Sequence, residues 1–140
     1  MQPLRQSILD MEAIMSVADI YEKRATFSFE VFPPQTDVGM EKLCGKDGVL
    51  DKLYTLQPDY ISCTYGAGGT NVGKNLEVLD KIQKDGKTIP VTHFTCIGNT
   101  KEDIKEKLQT YLDHGIDHML ALRGDLPFGW TGTNGDLHYA

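Results

Sequence analysis

Thr100-Lys101-Glu102-Asp103-Ile104 opens the stretch, running to Arg123, that decides the fold of this chain. Thr100 followed three residues later by Asp103 resembles a capping box, in which each residue satisfies the other's free backbone N–H. Ile104, Leu108, Tyr111 and Leu112 recur at i, i+4, i+7 and i+8, the stripe of a helix with one buried face. Gly115 stands where a helix C-terminal glycine belongs, and Asp117 to Arg123 follows as a largely apolar strand.

Outward from that unit the alternation repeats. Thr88 to Cys96 reads as a strand, preceded by a helix marked by Leu76, Leu79 and Ile82 that stops near Gly86. Asp59 to Tyr65 is another strand, broken by Gly66-Ala67-Gly68-Gly69. Met40, Leu43, Leu50, Leu53, Tyr54 and Leu56 keep helical spacing, with Gly45 and Gly48 as points where that helix splits. Thr26 to Phe32 alternates like a strand ending near Glu30, and Pro33-Pro34 stops it because neither residue donates a ladder hydrogen bond. Ahead of it, Ile8, Met11, Met15, Ala18 and Tyr21 predict an amphipathic lead-in helix over 6–24, and residues 126–140 read as a loop.

Strands and helices alternating at about 30 residues imply right-handed crossovers and a parallel sheet. The ends at Glu30, Thr64, Cys96 and Asp125 then share its carboxyl edge, where parallel α/β folds build their sites. A dinucleotide fold is excluded, since Pro33-Pro34 follows the first strand and Asn71 occupies the third glycine position of the loop after the second. That loop also lacks the Gly-Lys-Ser/Thr ending of a phosphate loop, and a tight strand-to-helix turn is the favoured explanation.

Composition narrows the class further. With 40% hydrophobic and 24% charged residues, the 140-residue chain suits one soluble domain. No apolar run approaches the roughly 20 residues that cross a bilayer, and no secretory leader is visible, so a cytoplasmic protein without membrane contact is expected. A net charge of -6 with scattered Lys and Arg argues against nucleic acid as partner. Cys44, Cys63 and Cys96 form no C-x-x-C pair and read as reduced, buried thiols. His114 and His118 stand four apart, but Gly115 between them breaks the helix, so no metal site is expected.

Three positions carry two readings each. Glu30, flanked by Phe27, Phe29, Val31 and Phe32, is either a desolvated carboxyl suited to donate a proton or a strand-end glutamate facing solvent or paired with a lysine. Asp125 is a second acid on the same edge or a helix N-cap. His93 is a cofactor contact or a hydrogen-bonded core histidine.

Ser28-Phe29-Glu30-Val31-Phe32-Pro33-Pro34, Thr64-Tyr65-Gly66-Ala67-Gly68-Gly69, His93-Phe94-Thr95-Cys96 and Ala121-Leu122-Arg123-Gly124-Asp125 together resemble, in order and spacing, the methylenetetrahydrofolate reductase family. The resemblance spans about residues 15 to 130 and the first half of that family's catalytic domain, a (β/α)₈ barrel holding FAD at its carboxyl face. It implies that NAD(P)H reduces the flavin and that the flavin reduces methylenetetrahydrofolate to methyltetrahydrofolate, in one-carbon and methionine metabolism. It also implies Glu30 as proton donor, Asp125 as an acid beside flavin and pterin, and Thr64, His93, Leu122, Arg123, Gly124 and Asp125 as flavin-binding positions.

The expected architecture is therefore one partial TIM-type barrel domain: a lead-in helix over 1–25, four β/α units over 26–125 and a loop tail over 126–140. A full barrel takes about 250 residues. The expectation is a chain truncated after strand four, read as a fragment lacking its C-terminal half, a half-barrel that pairs as a homo-oligomer, or a non-catalytic remnant. The alternative of a different class is a flavodoxin-like binding or interaction module.

Overall fold

Local chemistry sets several helix boundaries in the computed structural model, which describes residues 16–65 and 72–125. The helices are α1 (Val17–Lys23), α2 (Asp37–Cys44), α3 (Val49–Tyr54), α4 (Val72–Asp85) and α5 (Lys101–Asp113). The capping box at Thr100 and Asp103 is present in full. Gly115, at φ +76°, ends α5: its N–H bonds Leu112 O at 2.9 Å and that of Ile116 bonds Tyr111 O at 2.9 Å, which satisfies the last carbonyls. Gly86 follows α4 at φ +61°. The predicted helix over Met40 to Leu56 is two helices, with Gly48 as N-cap of α3.

The lead-in helix differs from its prediction. Ser16 caps α1 in a second capping box with Asp19, and Ile20 is its buried residue, whereas Ala18 and Tyr21 are exposed. Over the described residues the buried position of α1 thus falls one residue before the expected Tyr21. Ile8, Met11, Met15, the 66–69 glycine loop and the 126–140 tail lie outside the described residues.

Four strands, β1 (Ser28–Val31), β2 (Tyr60–Cys63), β3 (Ile89–Thr95) and β4 (Met119–Leu122), form one parallel sheet in the order β1-β2-β3-β4. Each new strand is laid beside the last and the order never reverses. A flavodoxin-like sheet has its first strand inside the second and third, so that alternative is overturned. Sequential addition is instead the winding of the first half of a (β/α)₈ barrel.

Register and the period of two sort the side chains. Val31, Cys63 and Thr92 are level, with Ile61 and Phe94 on the same face, and all five are buried toward the helices. Val78, Leu79 and Ile82 of α4 and Tyr111 of α5 cover them. Burial of each such apolar side chain contributes about 1.5–3 kcal/mol. Cys63 and Cys96 are buried and Cys44 is half-buried, all as free thiols, and burial pushes the Cys63 thiol up to about 12, so it stays protonated and unreactive.

One polar group crosses this core. The fully buried Asn75 of α4 donates to the carbonyls of Cys63 (3.2 Å) and Thr64 (3.0 Å), while its Oδ1 accepts from Thr92 Oγ1 (3.2 Å) and Tyr111 Oη (2.7 Å). The network ties the carboxyl end of β2 to β3, α4 and α5. At the opposite edge α1 runs across the strand starts: Arg24 pairs with Asp59, Tyr21 Oη and Tyr60 Oη are 2.9 Å apart, and Val17 N–H donates to His118 Nε2 at 3.2 Å. Replacement Asn75→Ala leaves two hydroxyls and two carbonyls without their partner. We expect a loss of about 2–4 kcal/mol in urea unfolding, with Tyr111→Phe costing clearly less.

Candidate functional site

The face of the sheet turned away from the helices mixes polar and apolar side chains around a cleft. Ser28, Glu30, Tyr60, Ser62, Val91 and His93 line a cleft of about 450 Å³, floored by Val17 and Tyr21 of α1 and walled by His118, Met119 and Leu120. Glu30 is level with Ser62 and Val91, so His93, two residues on from Val91, shares its face. The small Ser62 lies between them on β2, and the two long side chains meet across it with His93 Nε2 3.3 Å from Glu30 Oε2.

This corrects the expected surroundings of Glu30. Strand alternation sends Phe29 and Val31 to the helix side, Phe27 and Phe32 are exposed, and the Glu30 side chain retains 49% of its accessible surface. Its apolar sequence neighbours therefore do not desolvate it; the imidazole is its neighbour. His93 is 12% exposed, with its ring in the cleft rather than in the helix-side core.

The other predicted positions lie along the carboxyl edge. Thr64 follows β2, donates its N–H to Val31 O at 3.0 Å and is half-buried. Pairing of β3 with β4 continues past the strand ends, with Cys96 N–H on Leu122 O and Ile97 N–H on Arg123 O, both at 2.8 Å. Leu122, Arg123 and Asp125 are exposed, and Arg123 Nε donates to Gly124 O at 3.1 Å. Gly124 has φ +89°, and a Cβ there would overlap Thr95 Cγ2 and stand 2.5 Å from Ile97 Cγ2. Only glycine lets this segment lie flat on the end of β3. Glu30 and His93 are thus brought together, whereas Asp125 makes no hydrogen bond or ion pair with either among the described residues. The residues that would follow Asp125 as an N-cap lie outside the described ones.

Two contributors were not singled out from sequence. Asn99 Nδ2 donates to the carbonyls of Thr95 (3.2 Å), Cys96 (3.4 Å) and Ile97 (3.3 Å), and its Oδ1 accepts from Lys107, which holds the end of β3. The Gly98-Asn99 turn signal ahead of Thr100 was its available clue. Tyr65 is buried against Phe94 with ring centroids 5.5 Å apart, its hydroxyl finds no hydrogen-bond partner among the described residues, and burial raises its phenol above the usual range. No pattern in the sequence marks an unpaired hydroxyl. No cluster of His, Cys, Asp and Glu able to hold a metal occurs among the described residues, and His114 and His118 bond Asp80 and Asp117 instead. No described helix is long and apolar enough to cross a membrane.

A family model described as methylenetetrahydrofolate reductase matches residues 14–140. The chain is 35% identical over 119 residues to methylenetetrahydrofolate reductase (NADH) 1 of Zea mays, covering 85% of this chain and 19% of that protein. It is 36% identical over 112 residues to the 5,10-methylenetetrahydrofolate reductase of Pectobacterium carotovorum, covering 80% and 36%. With the enzyme of the same name from Escherichia coli the identity is 31% over 126 residues, covering 90% and 38%. The chain thus spans well under half the length of these relatives.

Two substitutions test the carboxyl edge. Gly124→Ala forces a side chain into a left-handed position and into Thr95, and should cost at least about 1–2 kcal/mol in chemical denaturation. Tyr65→Phe removes a buried hydroxyl that has no partner among the described residues, so the ligand-free protein should gain up to about 1 kcal/mol, seen as a higher melting temperature.

Proposed function

The chain belongs to the methylenetetrahydrofolate reductase family, and from that premise we propose that it supplies part of a flavin-dependent site reducing methylenetetrahydrofolate to methyltetrahydrofolate with a reduced nicotinamide as electron source. The observation that carries this reading is the Glu30–His93 pair in the cleft lined by Ser28, Tyr60, Ser62 and Leu120 on the side of the sheet away from the helices. The maize relative's name specifies NADH as its donor.

The residues present suit FAD. Exposed Leu120 and Leu122 offer apolar surface to a flat ring, Thr64 adds a polar group at the edge, Arg123 adds a cation, and Gly124 keeps the backbone approachable. Flavin, when bound, supplies the carrier that accepts hydride from the nicotinamide and yields it to the folate. The protein's part is proton management and orientation. Opening the bridging methylene requires a proton on the departing nitrogen, and Glu30 is the carboxyl that faces the cleft to provide it. Asp125, past the end of β4, is the acid that would accept hydrogen bonds from a bound pterin and supply negative charge to a flavin held there. A second reading, in which the chain serves as a docking half for further barrel strands, is favoured by the exposed Met119, Leu120 and Leu122 of β4.

An absorbance scan with added FAD tests the cofactor: the expected result is uptake with a shift of the yellow flavin bands, and a folded protein that takes up none counts against the reading. Where turnover is measurable, Glu30→Gln should leave flavin reduction by the nicotinamide within about twofold while folate reduction falls on the order of 10²–10⁴-fold. Equal loss of both half-reactions contradicts the acid role.

A further inference from the structure

Glu30 raises a problem that its own strand does not solve. In water a glutamate carboxyl gives up its proton near pH ~4.3 and an imidazole near ~6.5. Burial is the usual means of keeping a carboxyl protonated at neutral pH, and strand parity denies it here, leaving the side chain half-exposed. What stands beside it is His93 Nε2, at 3.3 Å, on a ring that is itself mostly enclosed.

We propose that Glu30 and His93 hold a single proton between them, with His93 as the positioning residue through which that proton enters and Glu30 as the group that delivers it. The inference rests on the acid role of Glu30 given above. A carboxylate–imidazole pair keeps one proton, mostly on the ring, well above the pH at which a lone carboxyl has lost it, because each partner's charge favours the other's. When the folate nitrogen approaches, the proton on Nε2 passes to the carboxylate and from it to the nitrogen. The bond from that nitrogen to the bridging methylene breaks with its electron pair staying on nitrogen, and the pair is left as carboxylate and neutral imidazole. Water then returns one proton to the ring. Nδ1 makes no protein hydrogen bond among the described residues, so the ring has one nitrogen for intake and one for delivery.

The rest of the cleft leaves this pair to itself. Its other titratable groups are Tyr60 of β2, Tyr21 of α1 and His118 ahead of β4. The two phenols bond each other, and His118 is held between Asp117 and the Val17 N–H. Cys63 lies on the opposite face as a neutral thiol. Arg123 and Asp125, exposed past β4, make no contact with the pair among the described residues.

The test is NMR of the flavin-free chain, following the Glu30 side-chain carboxyl carbon and the His93 ring nitrogens from pH 4 to 9. The expected result is a second step in the Glu30 signal at the pH where the His93 signals move. Loss of that step in His93→Gln, and movement of the His93 transition to lower pH in Glu30→Gln, complete the case. Glu30 is half-exposed, so the second variant remains informative if the first does not fold. A Glu30 signal that stays flat through the His93 transition, with that transition unmoved in Glu30→Gln, overturns the proposal.

In a turnover-competent protein, His93→Gln should also move the alkaline limb of folate reduction to lower pH. A uniform loss at every pH overturns it. Coupling in a chain that takes up no FAD counts against the reductase reading and leaves the pair standing, whereas FAD uptake with no coupling does the reverse.

Discussion

Strand parity under a single parallel register is the constraint on which the rest of the molecule depends. With Val31, Cys63 and Thr92 level across three strands, alternate residues are committed to the helices and the remainder to the cleft. A slip of one residue in β2 or β3 would carry Cys63 or Phe94 into water and Ser62 or His93 into the core. The cost of exposing those apolar groups is what holds Glu30 and His93 on one face. The chemistry of the cleft is in this sense a by-product of core packing.

The carboxyl edge is built more expensively. Asn75 takes a wholly buried polar side chain into the layer between sheet and helices, which is tolerated only because all its hydrogen-bonding directions are used. Its reward is a fixed end for β2 at Thr64. Asn99 does the same for β3 through three carbonyls, and Gly124 lets the segment after β4 continue pairing with Ile97. Three different devices thus terminate three neighbouring strands at nearly one level. The opposite edge is closed by α1 through Arg24, Tyr21 and Val17, so access to the cleft is concentrated away from that floor.

Much of this was legible one residue at a time. Thr100 with Asp103, the 104–112 stripe and Gly115 announced α5 because capping and helical periodicity are local interactions, written within a few residues of where they act. Gly45 and Gly48 likewise marked the break between α2 and α3. In the described part of the lead-in helix Ile20 is the buried residue, whereas Tyr21 is exposed and reaches Tyr60 of β2 through its hydroxyl, a choice made by tertiary contact rather than by the local apolar pattern. Glu30 was identified as a candidate acid for a reason that does not hold, since residues adjacent in a strand point to opposite sides and cannot surround one another. Asn75, Asn99 and Tyr65 were silent because their partners lie elsewhere in the chain or are carbonyls, which carry no sequence signature.

By itself, then, the sequence determined the alternation of strands and helices, their parallel sense and the family, because turn residues, caps and apolar periods act over short range and four motifs stand in register. Only the tertiary structure decided the phase of α1, the distance between Glu30 and His93 and the pairing of residues past β4 with β3. Those are outcomes of packing between segments some tens of residues apart, where burial of the common core, and not any local preference, selects the arrangement.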